Sequence, residues 1–263
     1  MIKNKKGIGI LVAIIIVLIV IFILLVIAGL LSQVSNESAK ESACRASVLK
    51  NYIGKNALSF SDAVLQCESK DISIKKDGIY INNKKQVSYK GLSNEEVKNS
   101  TMKILADEMA KCWNIFVEGK IEYNKVLVGN KILCNVCSKI NVKDAPFNEI
   151  TFSELMDFLM KNEMKDKKMS YFDYLYPNAD KNKKEEVFEN VYIISLKIYG
   201  VATILPKVDV IKREEFNIRT NNEYYLAFIA SEGSFFRLAK THHSMVTIAP
   251  LKLLINGCTL LYG

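Results

Sequence analysis

Proline and glycine are scarce, 4 and 12 in 263 residues. That excludes a collagen-like repeat and a linker-type low-complexity chain. Arginine is scarcer still beside lysine, 4 against 32. Arginine is the preferred reader of base edges, so the formal net charge of +8 does not point to nucleic acid. With 22 Asn beside the lysines, the bias matches an AT-rich coding sequence, and no nucleic-acid partner is expected. The only histidines, His242 and His243, are adjacent. On a strand they point to opposite faces and are poorly placed to share a metal. A Gly-rich phosphate loop, HExxH and GxSxG are all missing. Ser231-Glu232-Gly233-Ser234 reads as a turn, and Glu118 and Glu122 read as solvated or salt-bridged. No catalytic residue and no cofactor is assigned.

Charge is absent from one long stretch. Residues 8–31, 24 in all, hold no Asp, Glu, Lys or Arg. As a helix this run spans roughly 36 Å, enough to cross a bilayer core with some tilt. It exceeds the ~7–15 apolar residues of a cleaved secretory signal. Lys3, Lys5 and Lys6 precede it, whereas Glu37, Lys40, Glu41 and Arg45 cancel beyond it. The positive-inside rule therefore predicts a cytoplasmic flank at 1–7, a single-pass transmembrane helix at 8–31 and residues 32–263 outside. The lipid bilayer is thus a predicted partner through residues 8–31, and a protein partner or self-assembly is left open. Without residues 1–31 the remainder carries 33 Lys+Arg against 28 Asp+Glu and reads as an ordinary polar domain.

The outer part reads as α+β. Residues 32–52 are helix-compatible, with Ala39, Ala43, Ala46 and Leu49 spaced by three and four, and extend the anchor as a stalk. An extracytoplasmic domain follows over 53–263, with a subdomain break placed near 143–150. Ile72, Ile74, Ile79, Ile81, Val87 and Tyr89 alternate as strands, with turns at Asp77-Gly78 and Asn82-Asn83. Two capping boxes, Ser93–Glu96 and Thr151–Glu154, start helices. The first buries a stripe of Met102, Leu105, Ala106, Met109, Trp113 and Phe116 and ends at Gly119; the second runs to about Met164. Short strands surround the Cys pair over 121–142, and a short helix spans 170–176. Residues 191–199, 224–229 and 245–248 read as strands, with a short helix after Pro250. Helices and hairpins without regular βαβ alternation predict a mixed helix and antiparallel-sheet ectodomain.

Six cysteines, Cys44, Cys67, Cys112, Cys134, Cys137 and Cys258, all fall on the outer side. An even count there suits disulfides, with 15 pairings open. A Cys44–Cys67 bridge is the preferred pairing, and a second would join Cys112 to Cys134 or Cys137. Cys134-Asn135-Val136-Cys137 is a CxxC motif, compatible with structural disulfides, with two ligands of a metal site, or with a thiol-disulfide oxidoreductase. Its strand-like flanks lack the helix dipole that activates a catalytic thiol, so structure is the preferred reading. Asn36-Glu37-Ser38 and Asn99-Ser100-Thr101 fit the N-glycosylation sequon.

Lys5-Lys6-Gly7 followed by the apolar run resembles the processing site of type IV pilin-like precursors, with Lys6, Gly7 and Ile8 at the cut. The resemblance implies cleavage after Gly7 and packing of the apolar helix in a filament core. Many such proteins carry Glu five residues after the cut, where this chain has Val12. Taken with Cys44-Arg45, Leu65-Gln66-Cys67, Ala106-Asp107-Glu108-Met109, Cys112-Trp113, Glu118-Gly119-Lys120 and Cys134-Asn135-Val136-Cys137-Ser138, the N-terminal segment resembles an uncharacterised family of single-pass membrane proteins from small-genome archaea. That resemblance covers mainly residues 1–142 and implies a topology but no activity.

Overall fold

Alternating isoleucines start the sheet. In β1 (Lys70–Lys75) and β2 (Gly78–Ile81), Ile72, Ile74, Ile79 and Ile81 point to one face and are buried. β3 (Lys84–Ser88) follows the turn at Asn82-Asn83, where both residues have positive φ, 48° and 63°. Two left-handed residues suit a two-residue hairpin loop, and Asn tolerates that conformation. The computed structural model describes residues 16, 18–23, 39–50, 67–119, 132–177, 216–231, 244–258 and 260–262. The chain divides into two compact units, 1–43 and 44–263. In the first unit, residues 16 and 18–23 are helical and exposed, and the rest of the expected 8–31 span lies outside the described residues. Among the described residues no helix is long and apolar enough to cross a membrane.

Helix α1 covers residues 39–50. Helix α2 (Asn94–Ile115) is opened by the Ser93–Glu96 capping box and buries the whole predicted stripe. It also buries Thr101 and Glu108, which an apolar stripe does not foresee. β4 (Ile132–Val142) is one long strand where short ones are expected, although residues 121–131 lie outside the described residues. β5 (Glu149–Ile150) leads into α3 (Phe152–Lys161), capped by Thr151 and Glu154. This helix stops three residues before Met164, where Asn162 turns extended and Glu163 bridges to Ser170. Then come α4 (Tyr171–Leu175), β6 (Ile218–Arg219), β7 (Asn222–Ser231), β8 (Ser244–Ala249), α5 (Leu251–Gly257) and β9 (Leu260–Tyr262).

The main sheet has seven strands in the order β3-β2-β1-β4-β7-β8, with β9 also beside β4. It is mixed, which corrects the antiparallel expectation. β4 runs antiparallel to β7 but parallel to both β9 and β1. β9 lies along Leu133 to Asn135, and β1 along Ser138 to Val142. Helix α2 covers the face that carries Ile72, Ile140, Val142 and Phe228. There Phe116 stacks on Phe228 with ring centroids 4.3 Å apart, and Trp113 lies 5.9 Å from the same ring. β5 and β6 form a separate two-stranded sheet. Phe147 and Ile150, at the expected break near 143–150, belong to the same core as the main sheet.

Candidate functional site

Two of the three disulfides meet on β4. Cys44 of α1 is bonded to Cys67 ahead of β1, Cys112 of α2 to Cys137, and Cys134 to Cys258 at the end of α5. The first bridge is the preferred sequence pairing, and the second is one of the two options for Cys112. The third, across 124 residues, is not foreseen. Strand geometry explains why the CxxC carries no internal bond. Residues three apart on a strand point to opposite faces. Cys134 pairs in register with Ile229, away from α2, and meets Cys258 there, while Cys137 meets α2. No cysteine is free, and no thiol is left to act as nucleophile or thiolate ligand. Among the described residues no three His, Cys, Asp or Glu side chains gather as a metal site.

Two tyrosine–lysine–carboxylate clusters hold α4 in place. Tyr171 and Tyr174 are three apart and share one side of the helix. The Tyr171 hydroxyl donates to Asp107 and accepts from Lys103, whose ammonium also lies 3.0 Å from Asp107. The Tyr174 hydroxyl donates to Glu118 at 3.2 Å, and Lys167 reaches the same Glu118 oxygen at 2.9 Å. Each ammonium also sits over its tyrosine ring, 4.8 Å for Lys103 and 3.8 Å for Lys167. Burial pushes both phenols above their ordinary value. Burial pulls the two lysines down, but hydrogen bonds to the tyrosine and the carboxylate outweigh it, and both end above their ordinary value. At neutral pH every phenol and ammonium here keeps its proton. The clusters therefore act as braces between α4, α2 and the turn after it.

That turn is a run of left-handed backbone: Val117, Glu118 and Gly119 have φ of 56°, 56° and 65°. A β-branched residue is costly there. The run aims Glu118 at Tyr174 and brings Gly119 against the Trp113 ring and the Ser244 hydroxyl. Glu118 is thus paired, as its sequence reading supposes; Glu122 lies outside the described residues. Glu108 is a further functional-looking group that sequence reasoning missed. Its side chain is 3% exposed and meets Lys111 at 2.6 Å and Lys70 at 3.5 Å, the pairing that a buried carboxylate requires.

Lys6, Gly7, Ile8, Asn36, His242 and His243 lie outside the described residues. Asn99 is exposed on α2, but Thr101 of the same sequon is fully buried. Its hydroxyl donates to the Val97 carbonyl and contacts the Tyr89 hydroxyl, each at 2.8 Å. Trp113 is a core residue. Comparison with protein-family models, with curated proteins and with solved structures finds no match.

Proposed function

We propose that this chain is a membrane-anchored, extracytoplasmic surface module that acts by binding or assembly. The observation that carries the reading is a pairing of two features. A charge-free run of 24 residues follows a lysine-rich flank, and every cysteine beyond that run is disulfide-bonded. Disulfides persist where reductant is scarce, as outside a cell membrane. In this reading residues 8–31 lie in the bilayer, 1–7 in the cytoplasm and 32–263 outside, as in the archaeal single-pass family that the N-terminal half resembles. Protease added to intact cells should then degrade the large domain. Protection of residues 32–263 in unlysed cells would sink the proposal.

Lys5-Lys6-Gly7 ahead of the apolar run supports a second reading, a type IV pilin-like filament subunit. Mass spectrometry of the native N-terminus separates the two. A chain that begins at Ile8 favours the filament subunit, and one that begins at Met1 or Ile2 removes it. A thiol-disulfide oxidoreductase has no comparable support, because Cys134 and Cys137 are bonded to different partners on opposite faces of the sheet. Insulin reduction by the purified protein, compared with Cys134→Ser and Cys137→Ser, tests that alternative directly.

A further inference from the structure

Asn135 sits where the sheet is interrupted. β9 ends beside it, with Tyr262 as its register partner, and β1 begins only opposite Ser138. Val136 and Cys137 therefore have no strand neighbour on that edge among the described residues. On the other edge the ladder pairs Val136 with Ala227 and Ser138 with Leu226, so it passes over Cys137. Cys137 is the extra residue of a β-bulge, and the ladder is locally disrupted there. Backbone N–H and C=O groups that leave a ladder inside a protein find other partners.

The register also sets the surroundings of the Asn135 side chain. Its ladder partner is Phe228, on the face that Phe116 and Trp113 cover. An apolar residue would suit that position. Instead there is a carboxamide, 4% exposed, and neither its oxygen nor its nitrogen has a hydrogen-bond partner among the described residues. A carboxamide carries two donors and an acceptor oxygen, and burying them unmet costs more than a lost neutral contact. Buried water commonly resolves such a conflict, making about three hydrogen bonds to groups that would otherwise be unmet.

We infer that Asn135 holds a buried water at the bulge, which bridges its carboxamide to the Val136 main-chain oxygen facing the gap between β9 and β1. The amide supplies one or two of the water's bonds and the Val136 oxygen supplies another. The Cys112–Cys137 bridge ties this bulge to α2, so the site is held covalently between sheet and helix. Leucine would fit the aromatic surroundings but would leave the Val136 oxygen without its bridge.

The test is a crystal structure of the full chain in detergent, at a resolution that shows ordered water. A water within hydrogen-bond distance of the Asn135 carboxamide and of the Val136 main-chain oxygen is the expected result. A dry carboxamide, or one turned onto a protein group, overturns the inference. Thermal denaturation of Asn135→Leu gives a second, independent reading. The melting temperature should fall by several degrees, and an unchanged or higher value also overturns the inference.

Discussion

Tyr176 donates its hydroxyl to the main-chain oxygen of Val246, 3.0 Å away. Val246 lies in β8, the last strand of the sheet path among the described residues. A sheet edge exposes unpaired carbonyls that recruit other strands, and here a side chain from the end of α4 occupies one of them. The hydroxyl is enclosed, and burial pushes it far above the ordinary phenol value. Tyr176→Phe should therefore leave a buried carbonyl without its partner and cost about 1–3 kcal/mol. Urea denaturation of wild type and variant at neutral pH checks the loss, and an unchanged midpoint would show that the bond contributes nothing.

The disulfides should differ in weight by the length of chain they close. Cys44–Cys67 spans 23 residues and Cys134–Cys258 spans 124. In the chain-entropy account the second restricts the unfolded chain by roughly 1.5 kcal/mol more than the first. Paired Cys→Ser variants of each bridge, compared by thermal melting, should rank Cys134/Cys258 as the more damaging. Non-reducing peptide mapping should recover the three pairs as they stand in the structure.

Glu154 links acid stability to the start of α3. Burial pushes its carboxyl up, but hydrogen bonds from Lys98 and from Thr151 outweigh it and hold the group below its ordinary 4.5. A carboxyl depressed in the folded state adds stability above its unfolded value, and that stability is lost as pH falls through the folded value. Glu154→Gln should therefore be less stable than wild type at pH 7, with the gap closing in acid as pH falls below 4.5 through the folded value. A gap that stays constant from pH 7 into that acid range would contradict this origin.

Gly119 should tolerate no side chain. Its φ of 65° disfavours any L-residue, and a Cβ would lie 2.4 Å from the Trp113 ring and 2.5 Å from the Ser244 hydroxyl. Left-handed strain of about 1 kcal/mol adds to an overpacking cost of roughly 1–3 kcal/mol. Gly119→Ala should lower the melting temperature by several degrees. Trp113 is the sole tryptophan, so a shifted emission maximum would report the displaced ring.

Acid and ring partners far apart in the chain explain which features the sequence could not show. Tyr171 meets Asp107 across 64 residues and Tyr174 meets Glu118 across 56, and neither pairing leaves a local pattern. Glu108 lies on the buried side of α2, and one of the two lysines that pair it, Lys70, comes from the start of a neighbouring strand. The candidate site of the sequence reading, the CxxC, was visible as a motif; its division between two faces needed the register of β4.

What the sequence determined by itself is local. The Ser93–Glu96 and Thr151–Glu154 boxes, the alternating isoleucines of β1 and β2, and the Met102-to-Phe116 stripe all act within a few residues, so they are readable before the chain folds. The charge-free run at 8–31 is of the same kind. The tertiary structure decided the parallel docking of β1 and β9 on one edge of β4, the bulge at Cys137 between them, and the Cys134–Cys258 bridge. These contacts close long loops, and the entropy of closure grows so slowly with length that sequence separation hardly ranks one partner above another. Only packing against a shared core selects among them.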